Sequence, residues 1–588
     1  KKVLRSSTKT IVRSILGSYF GSLGFVDMLL KVPSPSFGWK KKTKTLINMP
    51  IPHDDEPHPL SPESKTAVVQ VSKLLDVQGK FAALCRIYSG QIKVGQRVKI
   101  LGSAYPADLE DVTFNTITAI HVPTHNSNEE RVKLSYRSLD EIGAGNVVIL
   151  HGVDATITQS ATIVGSNSNS SSEFDDDEDT EEQCVFRPLR FTPAVVKLSI
   201  EPLRPAELPK MVHGLRSVLK CYPGSHLVVH DTGEHCIYGT GEVYLDTLMQ
   251  FLRQYSDVEI KVAEPTVALR ESVAGTSVMG IVGETPNKRN KITITSSQLE
   301  APITNALTLY QLPKKEEKIP GHFMQEFGWD LLSSRSIWAF DYERGSLLLD
   351  DTIPDFDDVT SKENFAAAKP SIVQGFRWAS KEGPLCEEPL HGCKVKLLDA
   401  VLAPSSIHRS SGQIIPTIRR TIHASMLLAN PTLLEPVNKL YITAPTSIVD
   451  SLSPLLTKRR GFMTGDSPVG ASTYSVVTAY VPVMDMFGLE TDIRMFSQGQ
   501  AMVHSLFEYW NEVPGDPLDS SIVLHPLEPS PVQCLAREFL VKTRRRKGLN
   551  EEVSIDKYLD EEMKRQLLLA QRSGMDEGDI DMEDGEML

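Results

Sequence analysis

Residues 190–265 spell out an order of elements that few folds satisfy. A strand over Val195–Ile200 leads into a helix over Glu207–Lys220, opened by Pro209 in its first turn. Two short strands, Leu227–His230 and His235–Tyr238, are joined by Asp231-Thr232-Gly233-Glu234, whose Asp and Gly are turn residues. A helix over Gly241–Gln254 and a strand over Val258–Val262 complete β-α-β-β-α-β, the split-βαβ or ferredoxin-like sandwich. A second such unit is expected near 437–513. It has a strand Leu440–Ala444, a helix around Thr446–Lys458 and strands near Phe462–Thr464 and Tyr474–Tyr480. A helix near Gln500–Tyr509 and a short closing strand end it.

The flanking segments have different textures. Residues 9–32 place apolar side chains at Ile11, Ile15, Leu16, Tyr19, Phe20 and Leu23, a helix with one face to bury, stopped at Val32-Pro33. Residues 36–64 read as a linker. Since the chain opens on Lys1 rather than Met, the expectation is a fragment whose first helix packs against an upstream partner. From 66 to 164, short β runs punctuated by Gly, Pro and Asp point to a small barrel. Between the two repeats, 270–435 is mixed α+β, with helices near 366–380 and 411–428, and 530–570 looks helical.

A chain of 588 residues exceeds one core and calls for several domains. Its net charge of −13 is unevenly placed. Residues 173–182 hold eight acidic groups and 576–586 hold seven, so of 75 Asp and Glu only 60 remain against 62 Lys and Arg. The body is near neutral and carries two acidic low-complexity segments. Seven scattered cysteines with no Cys-x-x-Cys pair fit a reducing compartment. No apolar run nears the ~18 residues of a membrane helix, so no membrane partner is expected.

The motifs mostly exclude chemistry. No Gly-x-x-x-x-Gly-Lys-[Ser/Thr] loop is present to cradle phosphates, and Asn287-Lys288-Arg289-Asn290 ends in the wrong residue for a guanine reader. The chain alone is expected neither to bind nor to hydrolyse GTP. His230-Asp231-Thr232-Gly233-Glu234-His235-Cys236 could be taken for a metal cluster or half of an aspartic dyad, but a single Asp-Thr-Gly on a hairpin reads as a turn. Arg459-Arg460-Gly461-Phe462 starts like an RNA-recognition signature that Met463-Thr464 abandon, which favours packing. The densest basic run, Arg544, Arg545, Arg546 and Lys547, is a candidate for RNA or partner contact, with a solvated helix end as the alternative. Ile407-His408-Arg409 lies in a polar loop between a strand and a helix, too sparse to specify catalysis. No catalytic and no metal residues are assigned.

Taken in order, several of these stretches resemble the translocase GTPase family of elongation factor G and eukaryotic elongation factor 2. Ser89-Gly90-Gln91-Ile92 with Gly95-Gln96 is similar to the second-domain barrel, and Glu234-His235 with Gly239-Thr240-Gly241-Glu242 to the third domain. Ile407-His408-Arg409 through Gly412-Gln413-Ile414-Ile415-Pro416-Thr417 with Arg419-Arg420 resembles the fourth. Arg459-Arg460-Gly461 and Pro514-Gly515-Asp516-Pro517 resemble the fifth. Within the family, Phe186-Arg187-Pro188-Leu189-Arg190-Phe191, Trp329-Asp330-Leu331-Leu332 and Lys261-Val262-Ala263-Glu264-Pro265 favour the spliceosomal branch over the ribosomal factor.

The resemblance implies a multi-domain α+β chain with a small β-barrel followed by split-βαβ and mixed α+β domains. Residues 1–64 would be a remnant following a G domain plus linker, and 65–165 the barrel domain II. An acidic linker would occupy 166–189, ferredoxin-like domain III 190–268 and domain IV 269–435. Ferredoxin-like domain V would span 436–516, and a C-terminal extension 517–588. His408 and Arg409 would stand at the tip of domain IV, His408 where the ribosomal factor carries a modified histidine, with Ser410-Ser411 in place of the usual glycines. GTP and magnesium are implied for the G domain alone. The implied role is nuclear, in pre-mRNA splicing. The chain would serve as the non-catalytic arm of a GTP-state-dependent regulator of spliceosome activation and disassembly. Its partners would be the large U5 scaffold protein, the associated RNA helicase and U5 small nuclear RNA. Translational elongation and a nucleotide-independent scaffold are the alternatives.

Overall fold

The computed structural model describes residues 66–77, 80–102, 111–125, 134–158, 160–166, 186, 191–230, 233–309, 312, 318–352, 359–470, 472–522, 524 and 530–567. The expected helix at 9–32, the linker at 36–64, most of the acidic linker at 166–189 and the acidic tail lie outside them. The chain divides into two compact units, Lys1–Pro265 and Thr266–Leu588, and its architecture is mixed α+β.

In the first unit eight strands build one antiparallel sheet. They are Thr66–Val77 (β1), Lys80–Ser89 (β2), Arg97–Leu101 (β3), Val112–Thr116 (β4), Ala119–His125 (β5), Leu134–Leu139 (β6), Val147–His151 (β7) and Ala161–Ser166 (β8). Their order is β4-β3-β8-β1-β2-β7-β5-β6. Branched side chains on alternate positions, among them Val69, Val71, Ile87, Ile100, Leu150 and Ile163, meet in one core, as the two-residue period of a strand requires. The second sheet has the element order read from 190–265. Val196–Pro202 (β9) is followed by helix Leu208–Cys221 (α1), strands His226–Val229 (β10) and His235–Gly239 (β11), helix Glu242–Ser256 (α2) and strand Ile260–Val262 (β12). The order β10-β11-β9-β12 puts the first and last strands side by side, all antiparallel. Met211, Leu215 and Val218 on α1 and Leu245, Leu248 and Leu252 on α2 are buried at helical spacing. Gly214 lets the two helices close: a Cβ there would lie 2.8 Å from the Cβ of Ser256.

The second unit holds two further sheets. Strand Arg270–Val273 (β13) joins the later one. Ile281–Glu284 (β14), Lys291–Gln298 (β15), Ile337–Asp341 (β16), Ser346–Asp350 (β17) and Cys393–Val401 (β18) form the order β14-β15-β18-β17-β16, with β17 and β18 parallel. Three short helices, Ala301–Thr308, Ile319–Glu326 and Leu331–Arg335, intervene. The long helices Val359–Lys381 (α3) and Ser411–Leu427 (α4) cover the sheet, burying Ile372, Phe376, Ile414, Ile418 and Ile422 against Ile292, Ile294, Val395 and Leu397. Gly375 admits the close crossing, since a Cβ would meet Ile418 at 2.8 Å.

The last sheet runs Pro431–Pro445 (β19), helix Thr446–Lys458 (α5), Phe462–Pro468 (β20), Tyr474–Pro482 (β21), helix Leu489–Phe496 (α6) and Met502–Glu512 (β22). β19 lies between β21 and β22, and β20 flanks β21, which repeats the arrangement of the 196–262 sheet. One expectation is corrected: in place of the helix near Gln500–Tyr509 stands the strand Met502–Glu512, and the helix lies earlier. Leu489 and Ile493, four apart, are the buried pair of that helix. Gln498 and Gly499, at φ of 52° and 80°, then turn the chain before an alternating run in which Met502, His504 and Leu506 face outward. The expected helix at 530–570 resolves into Leu535–Arg546 (α7), a 3-10 turn at Ile555–Lys557 and a helical stretch at 561–567.

Candidate functional site

The expected tip residues His408 and Arg409 lie in the loop that leaves β18 and enters α4, and it is built as a closed structure. Arg409 donates from one Nη to the side chain of Asn364 on α3 and to the carbonyls of Ala403 and Pro404, the last two at 3.4 Å. The carbonyl of His408 accepts from the Nδ2 of Asn287 at 2.7 Å and of Asn290 at 2.9 Å. Asn290 is fully buried. It also accepts the Ala403 N–H at 2.9 Å and donates to Thr285. Both asparagines belong to the turn between β14 and β15, where Lys288 takes a left-handed φ of 54°. Pro404, Ser405, Ser406 and Ile407 are exposed, Ile407 to 80 %, and so are Lys288 and Arg289 on the neighbouring turn.

The basic run at 544–547 is not one surface. Arg544 is buried on α7 and donates to the carbonyls of Leu385, Asn550 and Glu552. Lys547 donates to the carbonyls of Cys386 and Glu387, at 2.8 and 2.9 Å, and pairs with Glu388 at 3.0 Å. Both cations are engaged by the 385–388 loop, Arg544 buried and Lys547 partly so, and neither stands free on the surface as a candidate for RNA or partner contact. Arg545 pairs with Glu551 in the open, and Arg546 is exposed.

The loop that Arg544 and Lys547 hold by its carbonyls, Glu271 holds by its N–H groups. This β13 carboxylate, fully buried, accepts the N–H groups of Leu385 and Cys386 at 2.7 Å and of Glu388 at 3.0 Å. Burial pushes its pKa up to about 7, against those three N–H donors and Lys547, which pull it down. Arg459 and Arg460, both partly buried, are likewise spent on contacts within the chain. Arg459 donates to the carbonyls of Asp485 and Phe487, both at 2.7 Å, and to the carboxylate of Asp492. Arg460 forks onto Glu435 at 2.8 and 2.9 Å and reaches Asp485. Among the described residues no group of three or more His, Cys, Asp or Glu is placed to hold a metal.

Residues 310–430 match the family model described as elongation factor G, domain IV, and residues 432–521 the one for elongation factor G C-terminus. The 110 kDa U5 small nuclear ribonucleoprotein component CLO of Arabidopsis thaliana is 41% identical over 584 residues, 97% of this chain and 56% of that protein. The pre-mRNA-splicing factor cwf10 of Schizosaccharomyces pombe is 40% identical over 569 residues, 94% and 56% of the two chains. For the pre-mRNA-splicing factor SNU114 of Saccharomyces cerevisiae the figures are 31% over 591 residues, 92% and 56%. Over nearly its whole length the chain is homologous to these elongation-factor-like U5 and splicing proteins. It spans about half the length of the curated relatives it matches.

The junction of the two family models, at 430–432, falls where α4 ends and β19 begins. The tip loop sits inside the first match. The matches end at 521, yet α7 beyond them buries Ala536, Phe539 and Leu540 against Leu385, Leu427 and Leu433. Asn287, Asn290, Asn364 and Glu271 are the structural anchors that sequence reading missed. For the asparagines the sequence carries one signal, the Asn-x-x-Asn spacing in a turn.

Proposed function

We propose that this chain is part of a U5 small nuclear ribonucleoprotein component acting in pre-mRNA splicing in the nucleus. The observation that carries the reading is identity of 40–41% over 94–97% of the chain to named U5 and splicing proteins. In this reading the residues form the arm of a regulator whose GTP state drives spliceosome activation and disassembly. GTP and magnesium belong to a G domain outside residues 1–588. A nucleotide acts on such an arm only through contacts that differ between the two states. The eight-stranded sheet serves as the barrel of domain II. The 196–262 and 431–512 sheets serve as ferredoxin-like domains III and V, with domain IV between, carrying His408 and Arg409 at its tip. The large U5 scaffold protein, the associated RNA helicase and U5 small nuclear RNA are its partners.

Purification of the tagged full-length protein from nuclear extract tests this. Enrichment of U5 small nuclear RNA is expected; enrichment of ribosomal RNA in its place would overturn the reading. Disabling the nucleotide site of the full-length protein is expected to stall splicing, and normal splicing would leave a scaffold only.

A further inference from the structure

The turn Thr285–Asn290 and the loop 402–410 come from distant parts of the chain, yet they share one carbonyl. We infer that Asn287 and Asn290 are positioning residues that set the domain IV tip through the backbone of His408. The inference rests on the reading of that tip as a contact surface.

The geometry carries it in three steps. First, a loop of nine residues between β18 and α4 has little to order it on its own, because its backbone groups have no ladder or helix to join. Second, the loop is fastened at both ends by one buried side chain: Asn290 accepts from Ala403 N–H and donates to His408 O. Asn287 doubles the second fastening and is itself fixed by Thr285 Oγ1 at 2.5 Å and by the Arg289 N–H at 3.1 Å. Third, the residues between the two fastenings, Pro404 to Ile407, point their side chains to solvent, so the fastening shapes a surface rather than a core. Ile407, exposed to 80 %, is the apolar side chain on that surface. The amide is the side chain suited to the task, since only Asn and Gln offer an acceptor and two donors from one planar group.

The test uses the full-length protein. Asn290→Asp keeps the acceptor for Ala403 and loses both donors; Asn287→Ala removes the second donor to His408. Ile407→Asp changes the surface and leaves the fastening alone. Ile442→Val, in the core of the 431–512 sheet, serves as a control for a mild loss of stability away from the loop. Amide hydrogen exchange over 403–410 is expected to quicken about tenfold in both asparagine variants and to stay unchanged in the other two. In extract depleted of the native protein, splicing is expected to fall with Asn290→Asp and Ile407→Asp and to persist with Ile442→Val. Unchanged exchange in Asn290→Asp overturns the inference, as does full splicing by that variant where Ile407→Asp fails. Full splicing by Ile407→Asp overturns the reading of the tip instead, and the exchange result then decides the positioning on its own.

Discussion

The carboxylate of Glu271 accepts the N–H of Cys386 at 2.7 Å across 115 positions of sequence, in a site closed to solvent. The N–H groups of Leu385, Cys386 and Glu388 thereby meet Glu271, while the carbonyls of Leu385, Cys386 and Glu387 meet Arg544 and Lys547. One loop is gripped by a carboxylate and by two cations.

Glu271 gives stability a pH dependence of unusual sign. Its folded pKa, about 7, lies above the ordinary 4.5 because burial disfavours the charged form. Between those values the folded state holds the proton that the unfolded state has released. This contribution is therefore complete below about 4.5 and is lost as pH rises toward 7. Melting of wild type and Glu271→Gln from pH 4.5 to 8 is expected to show the wild type losing ground through this window. Glu271→Ala, which strands three N–H donors, should cost about 3 kcal/mol or more at any pH.

Arg460 and Glu435 form a forked pair with the carboxylate almost wholly buried, its side chain 1 % exposed. Removing the cation leaves that charge without its partner, so Arg460→Ala should cost about 3–5 kcal/mol by chemical denaturation. Arg460→Lys should recover less than half, since an ammonium cannot reproduce two parallel N–H bonds. A full rescue by lysine would show that charge alone matters.

Within 544–547 the structure separates fold from surface. Arg544→Ala and Lys547→Ala should lower the melting temperature, the first by the several degrees of a buried cation lost from its carbonyl partners. Arg545→Ala and Arg546→Ala should leave melting unchanged. Any loss of RNA association in the latter pair, measured by gel shift, would then report surface contact alone.

Of the six described cysteines, only Cys534 is not buried. Burial pushes the thiols of Cys393 and Cys221 up to about 12 and 11 and raises those of Cys85 and Cys386. Iodoacetamide at pH 8 should therefore modify Cys534 at least about tenfold faster than the other five, as mapped by peptide mass. Equal rates would mean that the cores of both units open readily.

Sequence alone determined the order of strands and helices in 196–262 and most of it in 431–512. Side-chain period and turn residues are properties of a window of ten or so positions, and they were legible at Met211, Leu215 and Val218 or at Asp231 and Gly233. The same window failed at 489–512, where a short amphipathic helix and a strand with aromatic residues compete on nearly equal local terms. What the tertiary structure decided is the fate of polar groups. Whether Arg544 meets RNA or the Leu385 carbonyl, and whether Asn290 reads a ligand or fastens His408, depends on partners 159 and 118 residues away. Charge and amide chemistry give each side chain its capacity to bond. Which bonds it makes is fixed by the desolvation and close approach that packing imposes, and no local pattern records them.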